Sequence, residues 1–94
     1  MKAPLLSFLT LAVLTAALVA PFAMAGPKCT DAPRSKWLPE QTIQDRITGA
    51  GYVIDKFKVS GSCYEIYGKD KAGNQVEIYY DPTSGKVIKE RVND

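Results

Sequence analysis

Between residues 63 and 87 the apolar side chains fall on every second position, interrupted by two short polar stretches. Tyr64 and Ile66, then Val76, Ile78 and Tyr80, have the period of strands that bury one face. The interruptions are turn sequences. Asp70-Lys71-Ala72-Gly73-Asn74 places Gly where φ must be positive, which suits a three-residue hairpin loop with a Gly bulge. Asp81-Pro82-Thr83-Ser84-Gly85 has Pro where φ is preset and Gly at a left-handed exit. Pairing Asp70 with Asn74 and Asp81 with Lys86 sets Ile66 opposite Ile78 and Tyr64 opposite Tyr80. It also sets Tyr80 opposite Val87. One face then carries Tyr64, Ile66, Val76, Ile78, Tyr80 and Val87. The other carries Glu65, Tyr67, Gln75, Glu77, Tyr79 and Ile88. An apolar face backed by a mixed one predicts an antiparallel sheet covered on one side.

Upstream the rhythm changes. Ile43, Ile47 and Ala50 recur at helical spacing, with Gln44, Asp45 and Thr48 facing away. Pro39 suits the first helical position, Leu38 then being the cap, and Gly49 and Gly51 end the helix. Residues 52–59 form a further strand in which Phe57 and Val59 alternate with Lys56 and Lys58. Tyr52 and Ile54 fall out of phase with them, which predicts a bulge near Asp55. A turn at Ser60-Gly61 leads into Cys63 and is expected to bring Phe57 opposite Tyr64. Residues 86–91 supply the last strand. The expected fold is α+β: one N-terminal helix packed on a four-stranded antiparallel β-meander, its stripe on the Phe57/Tyr64/Ile66/Ile78 face.

The first 25 residues are of another kind. Lys2 is a short positive lead, residues 5–20 are almost wholly apolar, Pro21 breaks the run, and Ala23-Met24-Ala25 precedes Gly26. This is the pattern of a secretory signal peptide cut after Ala25, and the run falls short of the roughly 20 residues that span a bilayer. The expected organisation is a cleaved signal peptide over 1–25, an N-terminal arm over 26–36 and one small domain over 37–94, with no stable membrane anchor after cleavage. Cys29 and Cys63 both lie in the exported part, so an oxidising compartment predicts a Cys29–Cys63 disulfide, worth roughly 3–4 kcal/mol on the chain-entropy estimate. Because Cys63 alternates onto the face away from the helix, the arm has to wrap an end or edge of the sheet.

Charge and residue types narrow the function. The formal charge of +2 comes from interspersed residues, so no basic patch points to nucleic acid. There is no histidine, and Ser60, Ser62 and Ser84 sit in turns, so no nucleophile–base pair emerges. Glu65 and Glu77 share a face, which is read as a solvated pair. Residues 81–85 lack the spaced carboxylates of a calcium loop. The expectation is a non-enzymatic domain with no cofactor and no metal. Tyr64 and Tyr80 belong to the core. Tyr67 and Tyr79, with Ile88, form a candidate partner surface, ordinary cross-strand packing being the other reading of the same residues. Trp37 closes the open end of the helix over the core, with a contact to a partner as its second reading.

Several of these features together resemble the PepSY family. They are the helix closing on Ala50-Gly51-Tyr52, the Gly61-Ser62-Cys63-Tyr64-Glu65 entry and the Asp70-x-x-Gly73 turn. The run from Val76 through Asp81-Pro82-x-x-Gly85 to Lys86-Val87 completes the set. The resemblance spans about residues 37–91, and the short form with a Cys pair is similar to stand-alone periplasmic members of Gram-negative bacteria. It implies a helix on an antiparallel sheet and a role in restraining peptidases by binding them, with no catalytic residues to carry over. No peptidase domain follows in this chain, so inhibition would act in trans. The resulting expectation is a periplasmic or secreted binding module that regulates or inhibits a peptidase or another envelope protein. The alternative is a carrier of a small ligand or metal for envelope redox or transport systems. The sequence leaves the oligomeric state open.

Overall fold

The structure, a computed structural model, describes residues 26–93; the expected signal peptide and Asp94 lie outside the described residues. An extended arm with a short 3-10 turn at Arg34–Lys36 leads into helix α1 (Glu40–Gly49). Four strands follow, β1 (Val53–Ser60), β2 (Cys63–Lys69), β3 (Gln75–Tyr80) and β4 (Val87–Asn93), in one antiparallel sheet of order β1-β2-β3-β4. The α+β meander and its disulfide are therefore as expected.

Helix α1 starts one residue later than expected. Pro39 has extended backbone, and its carbonyl accepts from the amides of Thr42 and Ile43, which makes Pro39 itself the cap. At the other end Gly51 has φ 100°. The Gly51 amide bonds Thr48 O and the Tyr52 amide bonds Ile47 O, the two bonds of a Schellman stop. Ile43 and Ile47 are buried, but Ala50 is exposed as the C-cap residue, so the buried stripe ends at Ile47.

The core lies between α1 and one sheet face. Ile43 and Ile47 meet Tyr64, Ile66, Val76, Ile78 and Tyr80, flanked by Trp37, Leu38, Tyr52, Ile54, Phe57 and Val59. The β2–β3 register is as expected, with Tyr64 opposite Tyr80 and Ile66 opposite Ile78. Its loop closes through the Asp70 amide bonding Asn74 O, while the Asp70 carboxylate accepts from the Ala72 and Asn74 amides. Phe57 pairs with Ile66, not Tyr64, because the two-residue loop Gly61-Ser62 puts Val59 opposite Tyr64; both stay on the core face. The bulge at Asp55 is present and returns Ile54 to that face. Opposite it stands Gly68, where a Cβ would lie 1.9 Å from Val53 O, so only glycine admits the bulged backbone.

The β3–β4 turn is tied to the helix entry. Asp81 pairs with Lys86 and Tyr80 with Val87 as expected. Buried Pro82 accepts a hydrogen bond from the Leu38 amide, and the Tyr64 hydroxyl donates to Leu38 O at 2.6 Å. Trp37 meets the Tyr64 ring edge-on at 5.3 Å, and its Nε1 donates to Ala32 O. The arm then crosses to the opposite face of the sheet, where Cys29 joins Cys63 and the Cys29 amide donates to Ser62 Oγ.

Candidate functional site

The sheet face away from α1 gathers the polar chemistry of the chain. Strand alternation puts Cys63, Glu65 and Tyr67 of β2 there, with Glu77 and Tyr79 of β3. The pairing crosses them, Glu65 opposite Tyr79 and Tyr67 opposite Glu77, so the two carboxyls lie on one diagonal and the two tyrosines on the other. β1 adds Lys56 and Lys58, opposite Tyr67 and Glu65, and β4 adds Lys89 and Arg91, opposite Tyr79 and Glu77. All of these except Cys63 and Lys56, together with Gly26 and Ser60, line a depression of about 300 Å³.

This face is not the open, solvated surface that alternation suggests. Pro27 O lies 3.1 Å from Cys63 Sγ, and Gly26 packs on the Tyr79 ring. The arm thus closes one side, and Glu65 is left 1% exposed. The expectation of a solvated carboxylate pair fails here, because the Cys29–Cys63 bond draws the arm over this face. Glu65 Oε2 is buried with no hydrogen-bond partner among the described residues. The Lys58 ammonium reaches only Oε1, at 4.0 Å. Glu77 is better served: the Tyr79 hydroxyl donates to its Oε2 at 3.1 Å, and Arg91 lies 3.5 Å from its Oε1.

Electrostatics follow from burial. The Glu65 side chain is 2% exposed against 15% for Glu77, so burial weighs more heavily on the charged form of Glu65. Burial pushes its carboxyl above the usual range and the neighbouring Glu77 pushes it further. Glu77 is held low, first by Glu65, then by the Tyr79 and Tyr67 hydroxyls and Arg91, against the cost of its own burial. The Tyr67 hydroxyl is pushed up to about 12, chiefly by Glu65. Burial, then Glu77, raises Tyr79 as well. The result is a half-enclosed patch of hydrogen-bonding groups ringed by cations, suited to holding a polar group.

The anticipated surface residues divide. Tyr67 is 39% exposed with Lys56 Nζ 5.9 Å from its ring centre. Tyr79 shares that face but is half-buried by the arm. Ile88 does not join them. A bulge in β4 pairs Tyr79 with Lys89 and leaves Ile88 as the extra, unopposed residue. Trp37 sits on the other side, packed on Tyr64 with the Arg34 guanidinium 4.6 Å from its ring centre.

A second surface is the sheet edge at β4, an edge strand being the other contact surface the sequence offers, through strand addition. Every residue of β4 is exposed, because α1 is too short to cover the fourth strand and, among the described residues, only β3 pairs with it. Val87, Ile88 and Val92 are 46%, 39% and 47% exposed. Val87 also borders a small groove with Tyr52, Tyr80, Ile47 and Arg46. The short ten-residue helical window, set against four strands, was the available signal.

No described helix is long and apolar enough to cross a membrane. No curated protein and no solved structure matches the chain. The family model described as the peptidase propeptide and YPEB domain matches residues 9–91, nearly the whole chain. Domains of this family are propeptide- and inhibitor-like modules found in exported proteins. With its helix laid on a four-stranded meander and this match across it, the chain belongs to the PepSY family.

Proposed function

We propose that the protein is an exported, non-enzymatic PepSY module that restrains a peptidase or another envelope protein by binding it. Residues 1–25 are the leader that directs export, 26–36 the arm and 37–94 the binding domain. The observation that carries the reading is the bare β4 strand on a propeptide-family domain. Its outer edge pairs with no strand among the described residues, and Val87, Ile88 and Val92 offer apolar contact beside it. An extended segment of the partner adds there as a fifth strand, backbone hydrogen bonds giving affinity and alternate side chains giving selectivity. Lys89 and Arg91 blunt the same edge against indiscriminate pairing. Tyr67, on the neighbouring face, adds a further anchor.

The test is retention of peptidases from periplasmic extract by the oxidised protein, followed by amide exchange of the purified complex. Alternate β4 amides become protected if the edge is the contact. A retained peptidase with unprotected β4 amides removes the edge from the proposal. If none is retained or inhibited, the restraining role itself falls.

A further inference from the structure

Glu65 poses a problem of charge. Its side chain is almost fully buried on the arm-covered face, and Oε2 has no hydrogen-bond partner among the described residues. A carboxylate in that position needs a cation or hydrogen-bond donors. The groups facing it are Lys58 on β1, Tyr67 on β2, Glu77 and Tyr79 on β3, and Lys89 and Arg91 on β4. None of them makes a hydrogen bond to Oε2, although the Tyr67 hydroxyl lies near enough to Glu65 to be raised by it. Lys58 stands off at 4.0 Å from the other oxygen, Arg91 is engaged by Glu77, and the Tyr79 hydroxyl donates to Glu77.

Gly26 lines the same depression. It stands at the exposed rim, and a Cβ on it would lie 2.7 Å from Tyr79 Cε2, so the absence of a side chain lets its backbone lie against that ring. It is also the residue that follows the Ala23-Met24-Ala25 cleavage pattern. We propose that hydrolysis of the Ala25–Gly26 bond completes this site, the new Gly26 ammonium becoming the counter-ion of buried Glu65. The cut, made by a signal peptidase, consumes one water. It leaves a carboxylate on Ala25 and an amine on Gly26 that is protonated at neutral pH. Before cleavage Gly26 offers only a neutral amide, and Glu65 holds its proton; afterwards the proton leaves Glu65 and an ion pair replaces it. Removal of the leader is thereby read by the fold: the arm is fastened at Cys29 by a covalent bond and three residues earlier by a charge that only the processed chain has. The inference rests on the leader reading of residues 1–25 and is independent of which partner β4 binds.

The experiment starts from the full chain exported in a Gram-negative host. Intact mass of the recovered protein gives its first residue; a start anywhere other than Gly26 overturns the proposal. The Gly26 amine is then titrated by NMR in the wild type, in Glu65→Gln, and in a chain with Ser-Gly inserted after Ala25, which moves the amine two residues away. A neighbouring carboxylate raises an amine by about one unit or more above its ordinary value of about 7.7–8.0. The wild type is expected to show that rise, and both variants to lose it. Urea midpoints at neutral pH provide the second reading. Glu65→Gln lowers the midpoint in the processed wild-type background but not in the inserted one. An amine that titrates alike in all three chains, or a Glu65→Gln effect that ignores the insertion, overturns it.

Discussion

Replacing Cys29 and Cys63 together by alanine is expected to remove a large part of the net stability. The bond joins residues 34 apart in sequence, and the loop-closure entropy it withholds from the unfolded chain is worth about 3–4 kcal/mol. A domain of this size has a total of only about 3–10 kcal/mol, so the double variant should fall by about 15–30 °C in melting temperature. The native side adds to this, since Cys63 is fully buried and Cys29, within the arm that shields Glu65, is 8% exposed. Urea unfolding of the oxidised protein, the reduced protein and the double variant separates the two contributions. If chain entropy dominates, the oxidised protein has the smaller m-value, because its unfolded state stays more compact. The reduced protein and the double variant then share one lower midpoint. A loss below about 1 kcal/mol would refute the reasoning. A full loss with no change in m would move the effect from the unfolded state to the native arm.

Further expectations follow from single contacts. Gly68→Ala forces its Cβ against Val53 O and should cost about 1–3 kcal/mol in urea unfolding, with β1 shifted in NMR spectra. Tyr64→Phe leaves Leu38 O without its donor and should cost about 1 kcal/mol, a neutral result meaning that solvent takes over that carbonyl. Ile66→Ala, at a fully buried position between helix and sheet, should cost about 2–5 kcal/mol in the same assay. In the chain with Ser-Gly inserted after Ala25, Glu65 keeps its raised pKa. Its stabilising share is then fully present below the unfolded value of about 4.3 and is lost as pH rises through the folded value. Glu65→Gln should therefore gain on that chain as pH rises from about 4.3, measured as urea midpoints across the range; a constant difference would show that Glu65 ionises freely there.

The sheet was legible because turn chemistry and alternation agree. Asp70, Gly73, Asp81 and Gly85 fix two hairpins, and once they are fixed the period of two assigns Tyr64, Ile66, Ile78 and Tyr80 without further information. The break at Asp55 was legible for the same reason, as a phase error between Ile54 and Phe57. What could not be read was which polar face is truly exposed. Glu65 alternates like a surface residue, and its burial depends on where residues 26–29 run, a non-local matter that only the disulfide constrains. Ile88 went astray through the β4 bulge, which carries no glycine or proline to announce it. The family resemblance and the fold reinforced each other, because both rest on the order of the same turns.

The order of the strands along the chain has a consequence for how the molecule comes together. Every strand pairs with the next one in sequence, and the loops between them are a few residues long, so the sheet is assembled from hairpins that close on microsecond timescales. The long-range closure at Cys29 is of a different kind, since it needs an oxidant and takes seconds or longer. Until that bond forms, nothing covalent holds residues 26–29 against the sheet. The bond that closes the longest loop of the domain is therefore also the one that keeps the arm over Glu65.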